Sequence, residues 1–218
     1  MAKKKNIKSN DIISFYMDYV LEHDKQPNSV YVFAKHNNFE ESKFYEHFTS
    51  FESIERAIFK ALHDNTVATL QNSEDYANFE PRNMLLSYYF TFFENLTANR
   101  SYIVYALHKH KNKMKSLHAL KELKASFCQY IEDLGIELID IKQAEVEKFQ
   151  NRGLKESAWL QFLLTMKFWL EDTSPSFEKT DVFIEKSVNT SFDVLDVAPI
   201  KSLIDFGKFI FKEKIQTH

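Results

Sequence analysis

The chain has 218 residues, and 44% of them are hydrophobic, with 21 Phe and 10 Tyr, so a sizeable buried core is available. It contains only 3 Gly and 4 Pro, too few for the turns that a β-sandwich or an alternating βαβ protein needs at its strand ends. The net charge of −3 excludes a general polyanion binder, so any nucleic-acid contact must come from a local surface. The composition predicts an all-α fold.

Cysteine content and the apolar runs bear on the compartment. The single cysteine, Cys128, cannot form an internal disulfide, which favours a reducing environment. The first residues are basic, but no apolar signal core follows them. The longest apolar run, residues 159–170, is about half a membrane span and contains Lys167. We therefore expect a cytoplasmic protein.

Three short helices are predicted in the first fifty residues. Apolar residues at helical spacing indicate the first helix, and Asn28 or Ser29 can cap the second. Asn37 and Asn38 follow the second helix, and Asn tolerates the left-handed conformation that a tight turn requires. The predicted helices cover residues 11–23, 30–36 and 41–48, an order typical of a helix-turn-helix unit. The small core of this unit is expected to consist of Phe33, Phe39, Phe44 and Phe48.

The remainder of the chain predicts longer helices with few breaks. Thr49 and Glu52 have the spacing of a capping box, which would open a long helix before a polar loop over residues 71–78. The clearest later breaks are residues 151–153 and 172–176. The later helices are expected over residues 81–96, 101–110, 115–133, 139–149, 155–171, 178–196 and 199–214, which gives about ten helices in all.

One stretch in the predicted helix-turn-helix unit carries a family resemblance. Its matching residues are an apolar-alanine pair, a turn residue with the apolar residue after it, and an aromatic pair, namely Phe33, Ala34, Asn38, Phe39, Tyr45 and Phe48. This pattern resembles the head signature of the TetR family of bacterial repressors. The resemblance implies an all-α, TetR-like fold with a three-helix DNA-binding head over residues 1–50. A larger helical body over residues 51–218 would bind an effector and form a dimer.

The resemblance implies a ligand-responsive DNA-binding transcriptional regulator, but the third helix is unusually acidic. Glu40 occupies the position of a capping serine, Glu41 follows it, and Phe51 replaces a lysine that contacts the DNA backbone in the family. Acidic residues oppose phosphate attraction, although a carboxylate can accept a hydrogen bond from cytosine N4. The expected DNA contacts are Lys3, Lys4, Lys5, Lys35, Ser42, Lys43, Tyr45, His47, Thr49 and Ser50.

These contacts have plain alternatives. The N-terminal lysines either grip the DNA backbone or minor groove or form an exposed tail that maintains solubility. Lys43 and His47, four residues apart, either face DNA or belong to a solvated helix face.

Aromatic residues at helical spacing dominate the body. They either form the core or line a cavity for an apolar or amphiphilic effector. Trp and Tyr suit such a cavity because each combines a large apolar ring with one hydrogen-bonding group. The residues expected to line such a cavity are Tyr89, Phe93, Tyr102, Phe127, Trp159, Phe162, Met166 and Trp169. His108, His110 and His118 do not share one helix face, as a metal site needs. No phosphate loop, nucleophile elbow or zinc-binding His-Glu pair occurs, so we expect neither a metal or cofactor nor enzymatic activity.

Two helices, roughly residues 155–171 and 178–196, correspond in order to those that form the dimer interface in the family. The second carries apolar residues on more than one face, as a helix packed against both its own body and a partner would; a merely buried helix is the alternative. The apolar segment 199–214, interspersed with lysines, either packs on the body or lies at a membrane surface. The latter pattern resembles a TetR-fold lipid-binding protein that has lost DNA binding. The alternative function is therefore binding of a lipid or hydrophobic small molecule without a DNA role.

Overall fold

The computed structural model describes residues 7–108, 117–136 and 144–196. These ranges contain α-helices and short 3-10 helices and no strand, which confirms the all-α prediction. The α-helices are α1 (Ser9–His23), α2 (Val30–His36), α3 (Glu41–Tyr45), α4 (Phe51–Gln71), α5 (Pro81–Ala98), α6 (Arg100–His108), α7 (Lys121–Asp133), α8 (Ala144–Glu171) and α9 (Glu178–Asp196). The 3-10 helices are Tyr76–Asn78 and Pro175–Phe177. Across the described stretches, every helix is too short or too polar to cross a bilayer. The helix predicted over residues 199–214 lies outside them.

The helices group into two compact units. The first comprises the described residues of Met1–Val67 and Phe92–Ser126, and the second those of Ala68–Thr91 and Phe127–His218. Helices α1, α2, α3 and α6 belong to the first unit, whereas α8 and α9 belong to the second. This grouping reflects packing alone, and the functional boundary at residue 50 stays a prediction.

The core of the first fifty residues is built from phenylalanine rings. Phe33 and Phe44 are fully buried, and Phe39 and Phe48 are nearly so. The ring of Phe33 lies edge-on to Phe39 at 5.7 Å and to Phe44 at 6.3 Å between centroids. Such pairs contribute about 0.5–1.5 kcal/mol each beyond the area they bury. The core that holds α2 against α3 is thus the one predicted from the sequence, with α3 ending at Tyr45 rather than at Phe48.

The capping box at the start of α4 lies one residue later than predicted. The hydroxyl of Ser50 accepts a hydrogen bond from the backbone N–H of Ser53 at 3.3 Å. The hydroxyl of Ser53 in turn accepts from the backbone N–H of Ser50 at 3.1 Å. The reciprocal box is therefore Ser50 with Ser53, and not Thr49 with Glu52. Serine can take the place of the usual glutamate at the third helical position, because its hydroxyl oxygen can also accept a hydrogen bond from the backbone N–H of the capping residue.

The break predicted over residues 151–153 is wrong. Helix α8 runs from Ala144 to Glu171 without interruption, and Gly153 lies exposed inside it. A single interior glycine costs about 1 kcal/mol relative to alanine. That cost is small for a 28-residue helix whose buried face carries Trp159, Phe162 and Trp169. The packing of the buried face therefore overrides the local preference of glycine.

The break predicted over residues 172–176 is confirmed, and a buried carboxylate fixes it. One oxygen of Asp172 accepts from the backbone N–H of Ser174 at 2.8 Å and from its hydroxyl at 2.7 Å. The other accepts from the N–H of Thr180 at 2.9 Å and from its hydroxyl at 2.7 Å. Burial raises the pKa of Asp172, but these four hydrogen bonds outweigh it and lower the pKa to about 2. The carboxylate therefore ties the end of α8 to the first turn of α9.

Candidate functional site

The turn between α2 and α3 has a defined geometry. Asn38 has a φ of 55°, in the left-handed region that glycine adopts most readily. The N–H of Asn38 donates to the carbonyl of Lys35 at 3.3 Å, and that of Phe39 donates to the carbonyl of Ala34 at 3.0 Å. These two bonds form a Schellman motif, completed by the contact of Phe39 with Phe33. The turn ends α2 sharply and sends the chain into α3, whose buried Phe44 packs on Phe33.

The residues expected to contact DNA lie mostly on the surface of this head. Lys35, Ser42, Tyr45, His47 and Thr49 are exposed, with Tyr45 exposed by 55%. Lys43 and Ser50 are half-buried, and Ser50 is engaged in the cap of α4. Lys3, Lys4 and Lys5 lie outside the described residues. Most of the expected contact residues are therefore accessible, and Tyr45 is the largest of the exposed side chains.

The charge on α3 is partly paired within the helix itself. The Nζ of Lys43 lies 2.8 Å and 2.9 Å from the two carboxylate oxygens of Glu46. Glu40 and Glu41 are exposed at the start of the helix, and Glu40 caps it without a side-chain hydrogen bond to the backbone. The positive charge of Lys43, which would attract a phosphate, is therefore partly neutralised by the carboxylate of Glu46. The spacing of three residues is the signal in the sequence that could have predicted this ion pair.

All eight residues expected to line an effector cavity are buried, and four of them meet in the second unit. Ring centroids lie 4.7 Å apart for Phe127 and Phe162, and 5.3 Å apart for Phe162 and Trp159. Tyr89 lies 5.7 Å from Phe162. Burial raises the pKa of Tyr89, so its hydroxyl stays protonated near neutral pH. We call Tyr89, Phe127, Trp159 and Phe162 the aromatic cluster.

The other four predicted lining residues are distributed differently. Phe93 and Tyr102 belong to the first unit, where both are buried. Met166 and Trp169 are buried further along α8, with Trp169 6.0 Å from Phe177 between ring centroids. The structure therefore groups half of the predicted lining residues.

An open apolar groove runs between α8 and α9. Leu160, Leu164 and Val182 are about half exposed along it, at 58%, 51% and 49%. The rings of Phe168 and Phe183, which also line the groove, stack with their centroids 4.6 Å apart. The groove has a volume of about 800 Å³ and is lined by Ser157, Leu160, Gln161, Leu164, Phe168, Glu178, Lys179, Val182, Phe183, Lys186, Ser187, Thr190 and Ser191. These two helices are the ones for which the sequence predicts a dimer interface.

Helix α9 has apolar residues on two sides. Ile184 and Val188 are fully buried, whereas Val182 faces the groove and is half exposed. The hydroxyl of Ser191 donates to Gln161 at 3.0 Å, and the amide of Gln161 donates to Ser187 at 3.3 Å, which joins α9 to α8. One side of α9 therefore packs on its own chain and leaves the other side open.

The chain matches one family model over residues 84–210, described as the C-terminal domain of tetracycline-repressor-like proteins. No curated protein matches the chain. The family match covers more than half of the sequence and includes the described parts of α5 to α9. Together with the all-α fold, it shows that this protein belongs to the TetR family.

Proposed function

We propose that the protein is a ligand-responsive, DNA-binding transcriptional regulator of the TetR type that acts as a dimer in the cytoplasm. The observation that carries this proposal is the turn at Asn38, because it joins two short helices and leaves the outer side of α3 exposed. Membership of the TetR family supports it. Residues 1–50 would form the DNA-binding head and residues 51–218 the effector-binding and dimerisation body.

The proposed DNA contact places α3 in a major groove. Ser42 and His47 would face base edges, because side chains that donate or accept hydrogen bonds suit that groove. Lys43 would lie against a phosphate. Tyr45 would point its hydroxyl at a phosphate, since it is the large exposed side chain of α3. Lys35, Thr49 and Ser50 would contact the backbone, and Lys3, Lys4 and Lys5 would extend this contact. Serine and threonine at the start of α4 suit phosphate oxygens.

The proposed dimer forms through the groove between α8 and α9. A groove lined by Leu160, Leu164 and Val182 presents an apolar surface to water, and a second copy would cover it. A two-fold axis lets the same surface serve both partners. Such a dimer would place the two copies of α3 in successive major grooves, roughly 34–36 Å apart.

The proposed effector is an apolar or amphiphilic small molecule that binds within the aromatic cluster. The rings of Phe127, Trp159 and Phe162 pack directly on one another, so an effector has to part them. An effector that binds the parted arrangement more tightly than the packed one would shift the protein towards the parted arrangement. The resulting change in DNA affinity is limited by the effector's preference for one arrangement over the other. No enzymatic step is part of this proposal.

The experiment that tests the proposal measures binding of the full chain to labelled duplex DNA from upstream of its own gene, at two salt concentrations. We expect a salt-sensitive affinity that exceeds the affinity for a shuffled duplex. Tyr45→Ala should weaken binding to the upstream duplex. The matched control is Phe79→Ala, which removes an exposed aromatic ring outside the head. Equal affinity for the two duplexes, or equal effects of the two variants, would contradict the proposal.

The second candidate is a TetR-fold protein that binds a lipid or another hydrophobic molecule and does not bind DNA. The observation that favours it is the net negative charge of α3 and its two capping residues. This segment contains one basic residue, Lys43, and three acidic residues, Glu40, Glu41 and Glu46. A membrane surface would then be a partner through residues 199–214. This candidate predicts no salt-sensitive DNA affinity, and liposome association that is lost on Phe209→Glu.

A further inference from the structure

The segment that joins α4 to α5 is attached to the second unit through one side chain. Every residue of this segment, residues 72–80, is exposed except Tyr76, which is only 8% exposed. Tyr76 opens the 3-10 helix Tyr76–Asn78 in the middle of the segment. Exposed side chains contribute little packing, so the ring and the hydroxyl of Tyr76 supply most of what holds the segment down. We call residues 72–80 the α4–α5 loop.

The hydroxyl of Tyr76 takes part in a short chain of hydrogen bonds. It lies 2.6 Å from the hydroxyl of Tyr130, and Tyr130 donates to the backbone carbonyl of Met84 at 3.1 Å. Because Tyr130 uses its proton in that bond, Tyr76 is the donor between the two phenols. Burial raises the pKa of both tyrosines, so both stay protonated near neutral pH. The loop is therefore fastened to α7 by a bond between two neutral phenols.

Tyr130 is the first ring in a series that ends in the aromatic cluster. Its ring stacks on Tyr88 with the centroids 4.5 Å apart, and Tyr88 lies 5.6 Å from Phe127 of the cluster. Tyr88 and Phe127 are fully buried, whereas Tyr130 is 9% exposed. These residues and the α4–α5 loop all belong to the second unit. Tyr76 therefore lies at the outer end of a series of contacting rings whose inner end is the proposed effector site.

Opening the α4–α5 loop disturbs few contacts. Lifting a loop that has one buried side chain breaks far fewer contacts than separating two packed helices, so such openings lie at the low end of the range of local stabilities. When Tyr76 leaves, Tyr130 keeps its bond to Met84, and water can replace Tyr76 as the donor to the Tyr130 oxygen. The open arrangement therefore leaves neither hydroxyl without a hydrogen-bond partner.

We propose that the α4–α5 loop is a lid over the effector site and that Tyr76 is its latch, so that an apolar molecule reaches the aromatic cluster after Tyr76 leaves Tyr130. This proposal rests on the proposed function, since the aromatic cluster is the site that the lid serves. Tyr76 is a positioning residue: it acts through Tyr130 and is not one of the four cluster rings. It sets how often the site opens and not how tightly the site binds.

Stopped-flow binding of an uncharged dye, N-phenyl-1-naphthylamine, tests the lid. Every protein in the series carries Trp169→Phe, so that Trp159 of the cluster is the sole tryptophan reporter. Tyr76→Ala should raise the association and dissociation rate constants by the same factor, about tenfold or more, and leave Kd within about twofold. The factors are equal because the dye crosses the lid both on entering and on leaving. Unchanged rates, or a change in the dissociation rate constant alone, would overturn the proposal.

Two further variants separate the latch from general loosening. Tyr76→Phe keeps the ring and removes only the hydroxyl, so both rate constants should rise by about twofold to tenfold, the effect of one hydrogen bond. It also serves as the test if Tyr76→Ala does not fold. Phe90→Ala removes an exposed ring on α5 in the same unit and should change neither rate constant. Equal acceleration in Phe90→Ala would show that the dye does not enter past Tyr76.

Proteolysis measures the latch without any dye. Thermolysin cleaves before apolar residues, and cleavage of the bond between Asn78 and Phe79 requires the α4–α5 loop to open. When cleavage is slow, its rate follows the population of the open loop. Tyr76→Phe should raise this rate by the same factor, about twofold to tenfold, as it raises the dye rate constants. Tyr16→Phe, which removes a buried phenol bond to Glu55 in the first unit, should leave it unchanged. A rate that does not rise in Tyr76→Phe would overturn the latch.

Failure of the lid and failure of the proposed function give different results. If the dye binds and both Tyr76 variants bind it at the rate of the unaltered protein, the lid is wrong and the effector site stands. If no variant binds the dye at equilibrium, the aromatic cluster is not an effector site, and the lid fails with it. Faster entry and exit at constant Kd, with faster cleavage of the loop, is the result that the lid predicts.

Discussion

The ion pair on α3 leads to a specific prediction: removing an acidic residue from the head should strengthen DNA binding. Lys43 contacts both carboxylate oxygens of Glu46, and both side chains are partly exposed. Glu46→Gln keeps the size of the side chain, removes one negative charge and releases Lys43. Exposed pairs at this spacing contribute at most about 0.5 kcal/mol to a helix. The buried Phe44 therefore keeps α3 folded in the variant.

The size of the effect follows from counterion release. Freeing Lys43 adds about one phosphate contact per protomer, and hence about two per dimer. The slope of log affinity against log salt should become steeper by about 1.8. The advantage of Glu46→Gln over the unaltered protein should then shrink by about 12-fold between about 50 mM and about 200 mM salt.

The assay is fluorescence anisotropy with the labelled upstream duplex at several salt concentrations. The matched control is Asp64→Asn on α4, which releases Lys60 from a comparable exposed ion pair outside the head. Asp64→Asn should leave both affinity and slope unchanged. If Glu46→Gln binds no more tightly at low salt, or if its slope equals that of the control, then Lys43 does not face phosphate and the proposed orientation of α3 is wrong.

Three further predictions concern the body. Leu164→Asp should convert a dimer to a monomer in light-scattering mass measurements, because it places a charge in the apolar groove. The control Leu21→Asp changes a similarly exposed leucine on α1 and should leave the dimer intact. If Leu164→Asp remains a dimer, the groove is not the interface. Because the folded-state pKa of Asp172 is lowered to about 2, its hydrogen bonds stabilise the protein above the ordinary carboxyl pKa of about 3.9. That stabilisation disappears as the pH falls from about 4 to about 2, so the gap in unfolding midpoint between the protein and Asp172→Asn should close there; a constant gap would contradict this role. In Trp169→Phe, which keeps Trp159 as the one tryptophan, a saturable apolar dye should change the fluorescence, and Phe162→Ala should alter that titration; an unchanged titration would contradict an effector site in the aromatic cluster.

The sequence predicts best those features that depend on neighbouring residues. Asn38 takes the left-handed conformation and Phe33 and Phe44 form the head core, because turn chemistry and helical spacing act within a few residues. The same local reasoning predicts a break at Gly153, but packing of the buried face of α8 overrides this preference. The bond between Tyr16 and Glu55 joins residues 39 apart in the chain, and no local pattern indicates it.

The prediction of the effector site shows the same limit. Helical spacing identifies Tyr89, Phe127, Trp159 and Phe162 as apolar-face residues, and the structure brings them together. Helical spacing alone also predicts Tyr102 as a lining residue, but Tyr102 lies in the other unit. Which helices pack together depends on the whole chain, and a single sequence without its fold does not specify it.

The most direct test of the central claim is a footprint of the full-length protein on the DNA upstream of its gene. A dimer with α3 in two successive major grooves should protect two symmetric half-sites whose centres lie roughly 34–36 Å apart. Tyr45→Ala should remove both halves of the protection together. Protection of a single half-site, or none at protein concentrations that saturate the anisotropy signal, would contradict a dimeric regulator that reads DNA through α3.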